Sequence, residues 1–419
     1  MTIRRITRLA LASALSLGAT GALATPIDPS SAQVLCHYKK LGDPTGAATG
    51  TVKSGVHLPG RWHHDKVMSW GNLFRTPAPP ADVERICAQA LKQTPDAHRY
   101  IGASGLHGSD AFAASHPLWH EGDLRPGKPV ERMVAFGDSL SDTGNMRTAS
   151  RTILGLVPRT ESLPSSSWFD GRFSNGPTWI EYLATRHGLV LSNWAVGGAQ
   201  TRNSQAGMIH GIDRQIDNFF EHMRFARGYD PSRTLFTFMV AGNDFVNDTK
   251  HATDIVVQQR DSLLKLVRHG ARKVIVVNLP DVTKAPVFRM GREDAADVLK
   301  RVEVYNSALA SIASSVTQQA VKEGLVASAG DLQIRVVDAR SRFDRVLADP
   351  KAYGFSNATE SCLKIDEDSA LTYMQTHAPR KHCEAGRFVF WDTLHPTTRM
   401  HELMAGWAAE GLPVGWGLR

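Results

Sequence analysis

Long apolar runs are missing from most of this 419-residue chain, and beyond the first 24 residues none approaches the roughly 18 residues of a membrane-spanning helix. The first 24 residues differ, because Arg4, Arg5 and Arg8 precede an uncharged apolar stretch that ends in Ala-Leu-Ala at Ala24. This pattern predicts a secretory signal peptide over residues 1–24, cleaved near Ala24, and hence a secreted protein, extracellular or periplasmic. A permanent membrane anchor is the alternative.

Cysteine is also scarce, since the chain has four cysteines and no CxxC spacing. Many zinc sites use that spacing, so its absence disfavours such a site. Each cysteine has a near partner in sequence, and we expect the disulfides Cys36–Cys87 and Cys362–Cys383 in an oxidising compartment. Four cysteines allow three pairings, so the sequence leaves the other two open, with free thiols as a further alternative.

A strong excess of one charge is absent. The formal net charge is +7, and removal of the three arginines of the predicted signal peptide lowers it to +4. No basic run is present, so nothing predicts nucleic-acid binding, although a mild positive charge favours approach to an anionic lipid surface. The oligomeric state is not indicated by the sequence.

Residues 25–127 differ in composition from the rest, because they are rich in Gly, Pro, His and Trp and have few long apolar periods. The stretch EGDLRPGKPVERM, residues 121–133, lies at the end of this region and is typical of a linker. We therefore predict a boundary near residue 128, with a small N-terminal domain over 25–127 and a larger domain over 128–419. The small domain has a modest core, so we expect the Cys36–Cys87 bridge to support it.

From Arg132 onward, short apolar strands alternate with amphipathic helical segments. The strands are predicted at 133–136, 189–196, 234–240, 273–280 and 334–339. Apolar strands that alternate with helices indicate an α/β fold with a parallel sheet covered on both faces. In such sheets the functional site lies beyond the carboxyl ends of the strands, where GDSLSDTGN, GGAQT and GND are expected.

Ser139 directly follows the first of these strands. A serine hydroxyl needs a base to act as a nucleophile, and the chain has no GxSxG elbow of the common α/β-hydrolases. Asp392 and His395 offer such a base, because a carboxylate three residues away can reach the imidazole Nδ1 and leave Nε2 free. Taken singly, Ser139 is also compatible with an ordinary polar turn, and Asp392 with a helix cap.

Acyl transfer also needs hydrogen-bond donors that point at the oxygen that becomes negative. Gly197 and Gly198 follow the second strand, where glycine lets a backbone N–H approach closely, and Asn243 follows the third strand with a side-chain amide. Each has an ordinary alternative, since paired glycines commonly make turns and Asn-Asp after a strand commonly caps a helix.

Together, the blocks FGDSLSDTGN, NWAVGGA, GND and DTLHP occur in the order and with the spacing of the GDSL or SGNH family of serine hydrolases. GRFSNGPTW also resembles the stretch between the first two blocks of that family. The resemblance covers about residues 131–411. It implies a three-layer α/β/α, flavodoxin-like fold with a five-stranded parallel sheet, and it implies no metal or cofactor.

The resemblance also assigns roles to individual residues. It implies that Ser139 is the nucleophile, that His395 is the general base and that Asp392 is the orienting acid. The backbone N–H of Ser139, together with Gly198 and Asn243, matches the oxyanion-hole donors. Asp138 belongs to the same block as Ser139, and we interpret it as a structural hydrogen-bonding residue of the turn rather than a base.

Within the family, the chain is similar to secreted bacterial lipases, phospholipases and glycerophospholipid–cholesterol acyltransferases related to the thermolabile haemolysins. This similarity implies a serine esterase of lipids (lipase, phospholipase A or lysophospholipase) that forms an acyl-enzyme on Ser139 and transiently contacts a membrane surface. Transfer of the acyl group to a lipid alcohol such as cholesterol is a further outcome. The alternatives are a carbohydrate O-acetyl esterase and a non-catalytic surface-binding protein that uses Trp62, Trp70 and Phe74.

The Cys362–Cys383 pair would close a loop that ends nine residues before Asp392. The resemblance suggests a lid over the acyl pocket that proteolysis opens, and three basic residues in the loop offer cleavage points. Simple stabilisation of a surface connection is the alternative.

Overall fold

A computed structural model describes residues 30–43, 45–63, 73–107, 114–154, 163–203 and 209–418 of the chain, so the predicted signal peptide lies outside the described residues. The strands are β1 Ser31–Lys40, β2 Thr49–Pro59, β3 Arg61–His63, β4 Leu73–Thr76, β5 Ala97–His107, β6 Ala114–His116, β7 Leu118–His120, β8 Arg132–Gly137, β9 Val190–Asn193, β10 Thr234–Met239, β11 Lys273–Val277, β12 Gln333–Val337, β13 Asn357–Ser361 and β14 Phe388–Phe390. The α-helices are α1 Pro80–Lys92, α2 Asn145–Leu154, α3 Trp179–Arg186, α4 Ile212–Met223, α5 Gly242–Val246, α6 Ala252–Arg268, α7 Ala295–Lys322, α8 Ala339–Ala348 and α9 Thr398–Glu410. None of these helices is long and apolar enough to cross a membrane.

Five strands form a parallel sheet in the order β12-β11-β10-β8-β9. Numbered along the chain, this is the 2-1-3-4-5 order of flavodoxin-like folds, so the predicted five-stranded parallel sheet is confirmed. Every residue of β8 and β10 is buried, which requires cover on both faces and produces three layers. The winding of the chain reverses between β8 and β10, and such folds bind their ligands in the crevice at that point.

The helices cover the sheet through apolar residues spaced three or four apart. Helix α7 packs against α6, and α3 packs against α9. The buried residues of α7 include Val298, Val302, Tyr305, Leu309, Ile312 and Val316. Strand β9 is shorter than predicted, but the N–H groups of Trp194 and Val196 still donate to carbonyls of β8, so the chain follows β8 to the end of the strand.

The N-terminal part contains an antiparallel sheet of order β2-β1-β5-β6, with α1 packed against it, and a small sheet of order β3-β4-β7. A disulfide joins Cys36 on β1 to Cys87 on α1 within a small apolar core. Trp62 and Phe74 belong to this core and are buried, so the alternative in which they contact a surface is wrong for both. Trp70 lies outside the described residues.

The N-terminal part contacts the larger part through charged and aromatic groups. His37 Nδ1 on β1 lies 2.9 Å from the carboxylate of buried Asp170, to which Arg172 also donates at 2.8 Å. The guanidinium of Arg132, at the start of β8, lies 4.2 Å from the ring centroid of Trp119 on β7. We propose that the connection between β7 and β8, where the predicted boundary falls, separates two domains.

Candidate active site

Ser139 lies two residues beyond β8, at the carboxyl edge of the sheet. A tight turn presents it there, because the Asp138 carbonyl accepts the N–H groups of Ser141 and Asp142, both at 3.0 Å. The Asp138 carboxylate accepts the N–H of Leu140 at 3.1 Å and stabilises the same turn. Asp138 is therefore a hydrogen-bonding residue of the turn, which is the role expected from its place in the sequence.

The fold brings Asp392 and His395 to Ser139. His395 Nε2 lies 2.7 Å from Ser139 Oγ, and His395 Nδ1 lies 2.9 and 3.0 Å from the two carboxylate oxygens of Asp392. The pair lies on a short turn after β14, in which Asp392 Oδ1 accepts the N–H groups of Leu394 and His395 at 2.8 Å. The three side chains therefore lie in the hydrogen-bonded sequence that nucleophilic catalysis by serine needs.

Asp392 is completely buried, and burial alone would raise its pKa. The charge and ring N–H of His395, together with the backbone N–H groups of His395 and Leu394, outweigh burial and lower the pKa of Asp392 below its usual value. Trp168, which the sequence did not single out, donates from Nε1 to Asp392 Oδ2 at 2.8 Å. An ionised Asp392 keeps the proton of His395 on Nδ1 and leaves Nε2 as the proton acceptor.

Besides the Ser139 N–H, the predicted oxyanion-hole donors lie in the loop after β9 and at the start of α5. Asn243, in α5, lines a cavity together with Ser139 and His395. Its Nδ2 donates to the Ala199 carbonyl at 3.0 Å, which leaves the second amide hydrogen for a substrate oxygen. Gly198 has a φ of +77°, which favours glycine, and precedes Ala199, but it is not among the described residues that line this cavity. Its role as a donor stays a proposal.

An ion pair between the buried carboxylate of Asp244 and the partly exposed Lys250, which the sequence did not single out, connects α5 to the loop after β9. Asp244 accepts the backbone N–H and the hydroxyl of Thr201, both at 3.0 Å, and the ammonium of Lys250 at 3.0 Å. Lys250 also donates to Gln200 Oε1 at 2.7 Å. Burial raises the pKa of Asp244, and the Lys250 charge and the Thr201 hydrogen bonds oppose that rise. The position of Asp244 directly after Asn243 was its only signal in the sequence.

A second buried carboxylate, Asp142, connects the Ser139 turn to the loop after β9. It accepts four backbone N–H groups, which are those of Gly144 at 2.7 Å, Asn145 at 2.6 Å, Met146 at 3.0 Å and Gly197 at 2.8 Å. Burial raises the pKa of Asp142 to about 6, and the four N–H groups oppose that rise. The N–H of Gly197 is thus used within the fold, which leaves Gly198 as the candidate donor.

Gly197 also lacks a side chain for a steric reason. A Cβ at this position would lie 2.4 Å from the ring of Phe173. That ring packs in turn on His395, with 5.0 Å between the ring centroids. The GRFSNGP stretch therefore contributes a wall of the site.

A cavity of about 60 Å³ lies beside Ser139. Its polar lining residues are Asp138, Ser139, Asn243, Asp281 and His395. Its apolar lining residues are Leu140, Val246, Pro280, Val282, Ala285, Phe343, Phe390, Leu394, Pro396 and Met404. An apolar cavity beside a nucleophile suits a hydrocarbon chain better than a sugar, which needs several hydrogen-bond partners.

The second predicted disulfide joins Cys362 to Cys383, so both cysteine pairs expected from the sequence are present. No cluster of His, Cys, Asp or Glu that could hold a metal ion occurs in the part of the chain that the structure describes.

The sequence model of the GDSL-like Lipase/Acylhydrolase family matches residues 133–408, which is more than half of the chain. The chain therefore belongs to this family, and it is an ester hydrolase.

Individual relatives narrow the similarity further. The thermolabile hemolysin of Vibrio parahaemolyticus is 31% identical over 81% of this chain and 76% of that relative. The phosphatidylcholine-sterol acyltransferase of Aeromonas hydrophila is 26% identical over 68% of this chain and 91% of that relative. The secreted effector protein SseJ of Salmonella typhimurium is 26% identical over 66% of this chain and 62% of that relative. The first two relatives confirm the predicted similarity to the thermolabile haemolysins and the glycerophospholipid–cholesterol acyltransferases.

Proposed function

We propose that the protein is a secreted esterase of lipids, which cleaves an acyl ester by way of an acyl-enzyme on Ser139. The observation that carries this proposal is the hydrogen-bonded series Ser139–His395–Asp392 beside an almost wholly apolar cavity. The cavity accepts the acyl chain, and the charged site beside it accepts the ester. The substrate is a phospholipid or another lipid ester, which the protein reaches by transient contact with a membrane surface or a lipid aggregate.

In the proposed mechanism, Ser139 Oγ attacks the ester carbonyl carbon while His395 Nε2 takes the hydroxyl proton. The carbonyl oxygen becomes an oxyanion, which the N–H groups of Ser139 and Gly198 and the amide of Asn243 stabilise. The bond to the alkoxy oxygen then breaks, and His395 gives its proton to the leaving alcohol. Asp392 remains ionised and stabilises the imidazolium while it exists. The acyl group is left as an ester of Ser139.

The acceptor that removes the acyl group decides the overall reaction. Water yields a free acid and makes the protein a lipase, phospholipase A or lysophospholipase. A lipid alcohol such as cholesterol yields a new ester and makes the reaction an acyl transfer. In both cases His395 deprotonates the acceptor and returns the proton to Ser139 Oγ. The name of the phosphatidylcholine-sterol acyltransferase among the relatives supports transfer as the second outcome.

Export is the second part of the proposal. Export is supported by residues 1–24, in which three arginines precede an uncharged apolar stretch. Two disulfides also support it, because such bonds persist in oxidising compartments. Expression of the full chain in a bacterial host tests the export proposal. Export predicts a mature protein whose N-terminus lies near Thr25. A mature protein that retains Met1 would contradict export.

The test of the enzymatic proposal is incubation with defined phospholipid vesicles, with and without cholesterol, followed by mass analysis of the products. We expect a free fatty acid and a lysophospholipid from the wild type, and a cholesteryl ester in addition if cholesterol is an acceptor. Ser139→Ala should lower the rate by a factor on the order of 10⁶, because no nucleophile remains. Ser307→Ala, on the exposed side of α7, is the matched control.

Two outcomes would contradict the proposal. Wild-type rates in the Ser139→Ala variant would show that the serine is not the nucleophile. Release of acetate from acetylated sugars, with no product from phospholipids, would replace the lipid substrate by a carbohydrate ester.

A further inference from the structure

Three aromatic rings pack around the His395–Asp392 pair. They belong to Trp168, Phe173 and Tyr373, and we call them the aromatic enclosure. The ring centroid of Tyr373 lies 5.4 Å from that of Trp168, 5.5 Å from that of Phe173 and 5.5 Å from that of His395. The mechanism uses none of these rings to bind or to react, so their convergence on the base and its orienting acid needs another explanation.

Two polar atoms of the enclosure reach the pair directly. Trp168 Nε1 donates to Asp392 Oδ2, and the hydroxyl oxygen of Tyr373 lies 3.3 Å from His395 Nδ1. Burial and the charge of Asp392 hold the pKa of Tyr373 well above its usual value, so the hydroxyl stays neutral. A neutral hydroxyl therefore lies beside Nδ1, next to the bond between His395 and Asp392.

The segment that carries Tyr373 is the loop closed by the Cys362–Cys383 disulfide, residues 362–383, which we call the disulfide segment. At its start, the N–H of Cys362 and that of Leu363 donate to carbonyls of Phe390 and Trp391, at 3.0 and 2.9 Å. The segment is therefore anchored immediately before Asp392.

The middle of the disulfide segment is bound to the stretch that carries Trp168. The N–H of Ser165 donates to the Tyr373 carbonyl at 2.9 Å, and the Ser165 hydroxyl donates to the Gln375 carbonyl at 2.7 Å. The His377 N–H donates to Ser167 Oγ at 2.7 Å. Trp168 and Tyr373, although 205 positions apart in the sequence, are thus held together on one side of Asp392.

A lid would have to cover the acyl cavity, and the disulfide segment does not. None of the described residues that line the cavity beside Ser139 lies within residues 362–383. The segment instead packs against the base and its orienting acid. The disulfide segment is therefore placed to support the His395–Asp392 pair and not to cover the substrate.

We propose that Tyr373 is a positioning residue for His395, and that the Cys362–Cys383 disulfide holds it in place, so that formation of this bond sets the catalytic rate. The inference rests on the proposed function of Ser139, His395 and Asp392. Exclusion of water from the pair strengthens the attraction between Asp392 and the imidazolium that forms in the transition state. The gain exists only in the transition state, so its loss lowers kcat and leaves KM nearly unchanged.

The first test compares Tyr373→Phe and Tyr373→Ala in the full chain, with kcat and KM measured on a short-chain p-nitrophenyl ester. Tyr373→Phe keeps the ring and should lower kcat by about 2- to 10-fold, the range expected for one hydrogen bond. Tyr373→Ala opens the enclosure and should lower kcat on the order of 100-fold, with KM within about 2-fold of wild type. The rate of inactivation by diethyl p-nitrophenyl phosphate, which reports on Ser139 and His395 without the acyl cavity, should fall in parallel.

Tyr229→Phe is the matched control for the hydroxyl. Tyr229 is a partly buried tyrosine whose hydroxyl accepts a hydrogen bond from Thr234 at 3.2 Å, at the opposite end of β10 from the site. The Tyr229→Phe variant should leave kcat unchanged. Thermal unfolding of each variant shows whether it folds, and Tyr373→Phe keeps the packing of the ring.

The second test removes the bond that holds the segment. The double variant Cys362→Ser/Cys383→Ser should lose kcat to about the same extent as Tyr373→Ala, and the two changes combined should add little because they act as a unit. Cys36→Ser/Cys87→Ser, which removes the other disulfide, is the control and should keep kcat.

Each remaining outcome would overturn the inference. Higher activity after loss of Tyr373 or of the Cys362–Cys383 bond would show that the segment obstructs the site, as a lid does. Unchanged kcat would reduce the segment to a structural connection, and a rise in KM without a fall in kcat would assign it to substrate binding. If Ser139→Ala keeps wild-type activity, the proposed function itself fails, which is a distinct result.

Discussion

Two buried aspartates of the site differ because their partners differ. Asp392 receives hydrogen bonds from the ring and backbone N–H groups of His395, and its pKa stays below the usual value despite complete burial. For Asp138, burial outweighs the hydrogen bond from Leu140 and raises its pKa to about 7. At neutral pH only Asp392 is held fully ionised, so Asp392 can orient His395 while Asp138 serves the turn.

The position of one side chain in the wall of the acyl cavity leads to a prediction about acyl-chain length. Phe343 on α8 is buried, lines the cavity and lies 6.2 Å from the ring of Phe390. Phe343→Ala should deepen the cavity. The ratio of kcat/KM for p-nitrophenyl decanoate to kcat/KM for p-nitrophenyl butyrate should then rise about tenfold. The physical reason is that each additional methylene buried in the deeper cavity contributes about 0.8 kcal/mol. Kinetics on an ester series of increasing chain length measures this ratio.

A control separates specificity from stability. Loss of a buried phenylalanine costs about 3–5 kcal/mol of unfolding free energy at any well-packed site. Phe355 is equally buried but is not among the residues that line the cavity. Phe355→Ala should share the loss of stability and keep the wild-type chain-length ratio. The same chain-length ratio in both variants would show that Phe343 does not limit the length of the acyl chain that the cavity accepts.

At the scale of elements, the loops after β9 and β10 act together because one carboxylate binds both. Asp244, at the start of α5, accepts two hydrogen bonds from Thr201 and one from Lys250, while Asn243 bonds the Ala199 carbonyl. The separation of the Gly198 N–H and the Asn243 amide is therefore set by contacts within the fold before any substrate arrives. Groups held in this way need no reorganisation when a substrate oxygen arrives, which supports their proposed role as oxyanion donors.

Removal of the cation in this network should affect both stability and rate. Lys250→Met leaves Asp244 buried without its charge partner, and the unfolding free energy should fall by about 1.5–3 kcal/mol. We expect kcat to fall as well, because the two loops lose a shared contact. Urea unfolding and ester kinetics measure the two effects.

Lys265→Met is the comparison for this variant. Lys265 pairs with Asp217 at 2.8 Å, but both side chains are about a third or more exposed, so the change should cost less than about 1 kcal/mol. Equal losses of stability in the two variants would contradict a special role for the Lys250–Asp244 pair.

At the scale of the whole molecule, a buried histidine makes folding sensitive to acid. His401 on α9 accepts the N–H of Trp179 on α3 at 3.3 Å, and complete burial lowers its pKa to about 3. Between that pH and about 6.5, the unfolded chain binds a proton at His401 that the folded chain does not. The stability that this group contributes is therefore present at neutral pH and is lost as the pH falls.

Replacement of His401 should flatten this dependence. In His401→Met, the slope of the unfolding free energy between pH 4 and pH 6 should be smaller than in the wild type by about 1.4 kcal/mol per pH unit. Urea unfolding across this range measures the slope. His57→Met, at an exposed position of β2, should keep the wild-type slope, and an identical slope in His401→Met would contradict the assignment.

Much of the region that matches the hydrolase family, residues 133–408, was predictable from local patterns. The predicted strands and helices alternate in the chain, and alternation of this kind leads to a parallel sheet whose carboxyl edge carries Ser139 and Asn243. Asp392 and His395 were predictable as a pair because they lie three positions apart and a single turn brings their side chains together. The proximity of the cysteines in the chain favoured the two disulfides, and the structure decided between the three possible pairings.

The contacts across long stretches of chain were decided by the tertiary structure alone. Trp168 donates to Asp392 over 224 positions, and Asp142 accepts the N–H of Gly197 over 55. Trp62, expected as a surface group in one alternative, is buried because β3 packs into the N-terminal core. Periodicity and spacing report only on neighbours along the chain. The sequence by itself therefore determined the strand–helix order and the candidate reacting residues, whereas folding decided which distant side chains contact those residues and how the acyl cavity is shaped.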